Sequence, residues 1–370
     1  MNPFVESNDI RHDADALRAR ADRDGYLFFR AFVAAEPIVE ARREIAATLQ
    51  QAGWIDADTD PFEAITSHPA LISGMEEHQP VYDSVQRLES FHALGHDTKL
   101  FAVMNALLGP EVLLQPSNIA RFIFPSKLEY TTPAHQDYVH IQGTPDVWTA
   151  WLPLGDCPRE LGGLSLLPGS HKIGVLPVAK ARGAGGLRSD TATIDTEWIS
   201  SPFELGDVLF FHSHTVHQGL PNLSGNRLRL SVDYRYQKTS DPVMDRVLEP
   251  HQGRLSWKEV YRDWRSDAFQ YYWKKFSLNP VAKQPWPVEE PREEKIELHA
   301  RSKSRRSEAR ANHISTAVGT TTISLRPQSR KERRQDDPVQ ESETAKPLVA
   351  SSSFASSSTG IYPAPNKDLR

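Results

Sequence analysis

The 370-residue chain can bury a sizeable core, since 39% of its residues are apolar. It contains no run of about 18 apolar residues, so the sequence predicts no membrane span. Its one cysteine, Cys157, excludes an internal disulfide and thiolate metal clusters. The net charge of −5 conceals a basic stretch from Arg301 onward, with 13 Lys and Arg against 7 Asp and Glu. The acidic remainder is poorly suited to nucleic acid, and because residues 1–13 are not signal-like we expect a cytoplasmic protein.

The first third of the chain predicts helices. Apolar spacing favours a helix at residues 14–21, followed by a strand-like run at 25–29. A second helix begins near Pro37, which suits a first helical turn, and ends at Gly53, which suits the left-handed backbone after a last turn. A further helical stretch is expected at residues 81–108.

From Glu111 the pattern changes to short β-type runs separated by Gly, Pro and Asn. The clearest runs are residues 112–114, 119–124, 146–154, 163–167, 207–212 and 228–236. Six or more short strands without intervening helices predict an antiparallel sandwich or barrel rather than a parallel sheet. The N-terminal helices would pack against its outside.

The C-terminal part of the chain predicts one more helix and then a tail. Residues 257–276 carry apolar and aromatic side chains at spacings of three and four, which favours one amphipathic closing helix. The proline-rich segment 280–291 is expected to end the ordered body. Residues 300–370 contain few aromatics and many Ser, Arg and Lys, so we predict disorder, with targeting or tethering to nucleic acid as the alternative role of its basic clusters.

We therefore expect one folded domain, residues 1–299, before the tail. Its predicted parts are N-terminal helices at 1–110, a β core at 111–240 and a closing helix within 253–276.

A histidine and an aspartate, His135 and Asp137, stand two residues apart in the predicted β region. In extended backbone, positions i and i+2 point to the same face about 6.6 Å apart, so both side chains can reach one ion. His140 would be out of phase with them and would face away. Because a single His-x-Asp pair is common, a metal site needs a third ligand.

The third candidate ligand is His217, which follows the predicted strand 207–212. Two imidazoles and one carboxylate on a β scaffold leave three open positions on an octahedral Fe(II), the arrangement of non-haem oxygenases. His212 and His214 are the alternatives. We prefer His217 because an arginine follows it by ten residues.

That arginine, Arg227, begins a run in which Arg227, Arg229 and Ser231 would share one strand face. A guanidinium beside the metal suits 2-oxoglutarate, whose keto acid end chelates iron while its far carboxylate takes a bidentate pair. The charges of iron(II), Asp137, 2-oxoglutarate and Arg227 then cancel, which a partly buried site tolerates best. Arg229 remains a rival, because it also has a hydroxyl two positions on.

Several motifs together resemble the phytanoyl-CoA dioxygenase family of iron and 2-oxoglutarate oxygenases. The likeness runs from about Asp24 to Tyr236. The residues that carry it are His135-Gln136-Asp137, Leu167-Pro168-Gly169-Ser170-His171-Lys172, Gly206-Asp207, His217, Pro221-Asn222 and Arg227. Within the second motif we expect His171 to hydrogen-bond a backbone carbonyl rather than act as a base.

The resemblance implies a mainly β fold, a double-stranded β-helix of the jelly-roll, cupin-like kind with flanking helices. It implies His135, Asp137 and His217 as iron ligands and catalytic centre, Arg227 as the anchor of 2-oxoglutarate, and Trp151 beside that cosubstrate. The expected activity is hydroxylation of a small organic molecule with Fe(II), 2-oxoglutarate and O₂, giving succinate and CO₂. Halogenation is disfavoured, because related halogenases have a small residue where this chain has Asp137. The alternative is a non-catalytic, cupin-like protein that binds a metal or small molecule.

Overall fold

Residues 1–289 are described by the structure, a computed structural model. The predicted tail, residues 300–370, lies outside the described residues, as do its basic clusters. Within residues 1–289 no helix is both long and apolar enough to cross a bilayer.

The N-terminal third is helical, as predicted. Asp13 starts the first helix by accepting hydrogen bonds from the backbone N–H groups of Asp15 and Ala16, and Gly25 ends it with a φ of 77°. The helices are α1 (Ala14–Asp24), α2 (Ala35–Gln51), α3 (His78–Gln86), α4 (Glu89–Leu94) and α5 (Thr98–Leu108).

Each β run predicted from the sequence contains a strand. Two short helices lie among the strands: α6 (Tyr138–Ile141) between β3 and β4, and α7 (Trp257–Val260) between β11 and β12. The strands are β1 (Tyr26–Phe29), β2 (Val112–Leu114), β3 (Ile119–Ile123), β4 (Trp148–Pro153), β5 (Leu164–Leu166), β6 (Val178–Lys180), β7 (Leu187–Ser189), β8 (Val208–His212), β9 (His217–Gly219), β10 (Arg229–Lys238), β11 (Pro242–Met244), β12 (Asn279–Val281) and β13 (Val288–Glu289).

The strands form an antiparallel jelly-roll. In the described part of the chain, the larger sheet has the order β1-β8-β4-β10-β2, with β3 also paired to β10. A smaller sheet pairs β5 with β9, and isolated bridges extend it on both sides, His135 to His217 and Leu166 to Ile199. The predicted mainly β, double-stranded β-helix with flanking helices is confirmed.

Strand β10 separates two environments, because its side chains alternate between the two faces of the larger sheet. The outward face packs into the hydrophobic core shared with the helices, and its members are Leu230, Val232, Tyr234 and Tyr236. The inward face is polar although it is buried, and its members are Arg229, Ser231, Asp233, Arg235 and Gln237. A buried polar face needs partners, and these side chains form one wall of the site described below.

The closing helix predicted at residues 257–276 is wrong. The chain is α-helical only over α7 and forms a 3-10 turn at Tyr272–Lys275. The Glu89 carboxylate accepts hydrogen bonds from the backbone N–H groups of Arg265 and Ser266, which therefore do not continue a helix. The aromatic side chains instead fill a separate cluster with Val243 and Leu113, so their spacing reflects packing rather than a helical stripe.

The proline-rich segment does more than end the domain. Strand β12 pairs in parallel with β11, and β13 pairs in parallel with β6. Between them, Gln142 and Gln284 exchange two hydrogen bonds, of 2.9 and 2.7 Å. Residues 279–289 thus cross the molecule as a strap.

Gly206 and Asp207 join the start of β8 to the end of β1. Gly206 has a φ of 94°, and a Cβ there would meet the carbonyl oxygen of Val33 at 2.8 Å, so only glycine fits. The buried Asp207 carboxylate accepts from the backbone N–H of Ala31 at 2.9 Å and pairs with Arg30 at 2.6 Å.

We predict that Asp207→Ala lowers the free energy of unfolding by about 2–4 kcal/mol, because it leaves buried donors without their acceptor. Urea denaturation followed by circular dichroism measures the loss. The exposed Asp263→Ala is the matched control and should change stability by less than about 0.5 kcal/mol. A loss at position 207 no larger than that of the control would contradict this role.

Candidate metal centre

His135, Asp137 and His217 meet at one point between the two sheets. Each side chain is buried, and one candidate ligand atom from each lies within 4.8 Å of the others. The Nε2 atoms of His135 and His217 are 3.7 and 4.0 Å from Asp137 Oδ1. Two atoms that are each about 2.1 Å from one ion lie at most about 4.2 Å apart. The separations of 3.7 and 4.0 Å between the carboxylate oxygen and the two imidazole nitrogens therefore suit a shared metal.

The hydrogen bonds of the two imidazoles leave the correct nitrogens free. His135 Nδ1 donates to the carbonyl oxygen of Pro133 at 2.8 Å, and His217 Nδ1 donates to that of Thr215 at 3.0 Å. Each ring therefore keeps an Nε2 lone pair for a metal. Burial and the neighbouring His135 lower the pKa of His217 to about 3, so this ring is neutral at physiological pH.

Asp137 is held in place from its far side. Arg235 donates from Nε to Oδ2 at 3.2 Å and from Nη2 to Oδ1 at 3.1 Å, and Thr149 Oγ1 donates to Oδ2 at 2.8 Å. Burial alone would raise the pKa of Asp137, but the Arg235 charge and the two histidines outweigh it and hold that pKa well below its usual value. The carboxylate is therefore ionised and oriented toward the histidines.

The backbone around the pair differs from the extended strand we expected. His135 bridges to His217, but Asp137 has φ −59° and ψ −32° and starts helix α6. Because the chain turns there, the expectation that His140 faces away is wrong. Its ring lies 6.0 Å from that of His135 and lines the pocket, although it is not one of the three converging residues.

The structure treats the two rival arginines differently. Arg229 is buried on the inward face of β10, donates from Nη1 to Ser231 Oγ at 2.9 Å and lies 5.6 Å from the ring of Trp151. Arg227 precedes the strand, is half-buried, and directs its Nε to the carbonyl oxygen of Glu63 at 3.4 Å. Arg229 is therefore the more deeply buried of the two arginines, and Trp151 lies beside it.

Several buried polar atoms on β10, β4 and β5 have no hydrogen-bond partner. Burial lowers the pKa of Arg229 to about 10, and its Nε has no hydrogen-bond partner. Trp151 Nε1, Ser165 Oγ and Asp233 Oδ1 also have no hydrogen-bond partner. Such orphaned groups are rare in folded proteins, so they indicate a polar ligand in this part of the barrel. A dicarboxylate beside the three converging residues fits the guanidinium of Arg229 and the donors of Trp151 and Ser165, whereas Asp233 Oδ1 can only accept a hydrogen bond.

His135 and Asp137 line a cavity of about 630 Å³. Its wall combines apolar side chains from the helices and β3 with polar groups near the metal-binding residues. The lining residues include Leu71, Tyr82, Arg121, Phe122, Phe124, Met244, Arg246, Glu249, His251 and Lys283. A cavity of this size suits a small organic molecule.

The other histidines singled out from the sequence have structural roles. His171 directs Nε2 to the carbonyl oxygen of Asp22 at 3.0 Å, as expected. His212 and His214 pack against each other 5.4 Å apart, away from the three converging residues. Gln136, between His135 and Asp137, donates to the carbonyl oxygens of Gly174 and His214 and fastens two loops.

Sequence reasoning missed Arg235, Thr149 and the ion pair of Arg121 with Asp233, whose Nη2–Oδ2 distance is 2.6 Å. The two-residue strand period that groups Arg229 with Ser231 extends to Asp233 and Arg235. It therefore predicts that these two residues also lie on the inward face of β10. Thr149 likewise shares the face of Trp151 on β4. Lys283 and the strap carried no comparable signal.

A sequence profile of the family described as Phytanoyl-CoA dioxygenase (PhyH) matches residues 21–230, more than half of the chain. The chain belongs to the phytanoyl-CoA dioxygenase family. Together with the converging histidines and aspartate, this membership makes the protein a 2-oxoglutarate-dependent non-haem iron oxygenase.

Two curated relatives are hydroxylases. The "1-deoxypentalenic acid 11-beta-hydroxylase" of Streptomyces exfoliatus is 27% identical over 284 residues, which cover 71% of this chain and 93% of that protein. The protein of the same name from Streptomyces arenae is 27% identical over 278 residues, again covering 71% and 93%.

Solved structures with similar folds include two enzymes with bound ligands. The epimerase SnoN, in complex with Fe3+, alpha ketoglutarate and nogalamycin RO, is 23% identical over 66% of this chain and 91% of that chain, with a TM-score of 0.45. EctD from S. alaskensis, with 2-oxoglutarate and 5-hydroxyectoine, is 18% identical over 66% and 84%, with a TM-score of 0.43. Neither likeness assigns a residue role in this chain.

We predict that Arg235→Gln lowers the unfolding free energy of the metal-free protein by about 3 kcal/mol, because it leaves the buried Asp137 carboxylate without its countercharge. Added Mn(II) should recover part of this loss, since the cation replaces the guanidinium charge beside the carboxylate. Thermal denaturation with and without Mn(II) measures both effects. An equal loss under the two conditions would show that Arg235 does not serve Asp137 electrostatically.

Proposed function

We propose that this protein hydroxylates a small, largely hydrophobic molecule at the centre formed by His135, Asp137 and His217. The observation that carries the proposal is the convergence of these three side chains beside a cavity of about 630 Å³, which His135 and Asp137 line. When bound, iron(II), 2-oxoglutarate and O₂ together supply an oxidant for an unactivated C–H bond and yield succinate and CO₂. The protein contributes position, charge and exclusion of water.

His135 and His217 would bind iron through Nε2, and Asp137 through Oδ1. Pro133 and Thr215 fix the two ring orientations through their carbonyl oxygens. Arg235 and Thr149 hold the second carboxylate oxygen, which keeps Asp137 from rotating away when the metal binds.

Arg229, rather than Arg227, is our proposed anchor for the far carboxylate of 2-oxoglutarate. Its guanidinium is buried, has an unpartnered Nε, and lies beside Ser231 and Trp151 within the barrel. Arg227 is supported less well, because it is only half-buried and its Nε contacts the carbonyl oxygen of Glu63. Trp151 would lie against the cosubstrate, with its indole N–H available as a donor.

The substrate would occupy the cavity beside the metal. The side chains of Phe122, Phe124 and Leu71 offer it an apolar wall, while Tyr82 and His251 offer hydrogen-bonding groups joined by a contact of 2.6 Å. The two curated relatives are named for hydroxylation of 1-deoxypentalenic acid, which supports hydroxylation of a small organic molecule as the reaction.

Asp137→Ala should abolish oxygen-dependent conversion of 2-oxoglutarate to succinate, because it removes the anionic ligand and leaves Arg235 as an unpaired buried cation. Succinate and CO₂ released by purified protein with Fe(II) measure the activity, and circular dichroism verifies that the domain folds. Replacement of the exposed Asp263 by alanine is the control and should retain full activity. Undiminished succinate formation by Asp137→Ala would reject the proposed centre.

Arg229→Gln should raise the KM for 2-oxoglutarate at least about tenfold, because a bidentate charged pair is lost in a buried site. Arg227→Gln, two residues away with the same chemical change, should leave that KM within about twofold. Initial rates over a range of 2-oxoglutarate concentrations separate the two variants. The reverse pattern would return the anchor to Arg227.

A further inference from the structure

The charges around the proposed centre do not cancel. The sequence-based balance counted iron(II), Asp137, 2-oxoglutarate and one arginine, which sum to zero. The structure adds Arg235 beside Asp137, and it adds Arg121 together with its partner Asp233. The arginine and aspartate of that last pair neutralise each other, so the loaded site keeps one positive charge, that of Arg235. A buried site with a net charge is costly, and an anion brought by the substrate would offset it.

Two further cations lie on one edge of the same cavity. Arg246 follows β11, and Lys283 stands on the strap between β12 and β13; both line the main cavity and an adjoining groove. His140, which also lines both spaces, connects this edge to the ring of His135. We call Arg246 and Lys283 the cationic edge.

Within the described residues, no ion pair neutralises the cationic edge. Throughout residues 1–289, neither Arg246 nor Lys283 has an acidic partner within ion-pair distance. Both cations are exposed, as are two carboxylates, Glu249 in the cavity lining and Asp245 in that of the groove. Apolar side chains such as Phe122 and Phe124 line the same cavity. The cavity therefore combines exposed cations with an apolar wall.

We propose that the substrate carries a carboxylate that binds Arg246 and Lys283, so that its hydrocarbon body lies across the apolar wall and beside the metal. This inference rests on the proposed function and names its substrate class, a hydrophobic carboxylic acid. Binding of the charged group at the edge fixes which C–H bonds face the metal-binding residues. The cationic edge then determines specificity without contacting the reacting carbon.

The test measures binding rather than turnover. The protein is loaded with Mn(II) and N-oxalylglycine, an unreactive analogue of 2-oxoglutarate, so that Arg229 and the metal positions are filled. Isothermal titration calorimetry then compares 1-adamantanecarboxylate with 1-adamantanecarboxamide, which has the same shape without the charge. We expect the carboxylate to bind at least about fivefold more tightly than the amide, with a smaller difference at high salt.

The variants assign that preference to its residues. Arg246→Gln with Lys283→Gln should weaken carboxylate binding about tenfold and leave amide binding unchanged. Lys258→Gln with Arg262→Gln removes the same charge from exposed positions outside the cavity and should change neither ligand. Equal affinities for the two ligands, no binding of the carboxylate, or an undiminished preference in the first double variant would overturn the proposal.

Succinate formation by the wild-type protein separates this inference from the proposed function. Active protein without a carboxylate preference would overturn the substrate class alone. A carboxylate preference in protein that never converts 2-oxoglutarate would overturn the proposed hydroxylation and leave the binding assignment standing.

Discussion

The buried, ionised carboxylate of Asp137 is the constraint on which the rest of the site depends. A carboxylate in this position is tolerable only with a cation beside it and donors on its remaining oxygen. Arg235 and Thr149 meet that need from β10 and β4, two neighbouring strands of the larger sheet. The sheet therefore sets the orientation of the carboxylate, and the carboxylate in turn faces the two histidines.

Strand β10 links the stability of the fold to the chemistry of the site. Its outward side chains belong to the main hydrophobic core with the helices, and its inward side chains include Arg229, Asp233 and Arg235. Because successive residues point to opposite faces, a shift of one residue in register would bury the arginines in the core and expose the tyrosines to the site. The apolar packing outside the sheet thereby fixes the positions of the charged groups inside it.

The cavity is assembled from segments that are distant along the chain. Leu71 and Tyr82 come from the helical third, Phe122 and Phe124 from β3 and the residues after it, and Lys283 from the strap. The metal-binding residues belong to the jelly-roll, whereas the walls that select a substrate come largely from outside it. Members of one family can therefore keep the same centre and accept different substrates.

The sequence by itself predicted β1–β5, β8, β10 and most of the N-terminal helices, because short-range periodicity encodes them, and its motifs together singled out His135, Asp137 and His217. It failed at residues 257–276, where aromatic spacing mimics a helix but each ring packs separately, and at His140, where a turn after Asp137 changes the phase. Only the tertiary structure showed that Arg235 pairs with Asp137, that Arg229 is more deeply buried than Arg227, and that Lys283 reaches the cavity. Strand periodicity places Arg235 on the inward face of β10, but which distant segment a side chain meets depends on where the chain turns, and local spacing does not encode that.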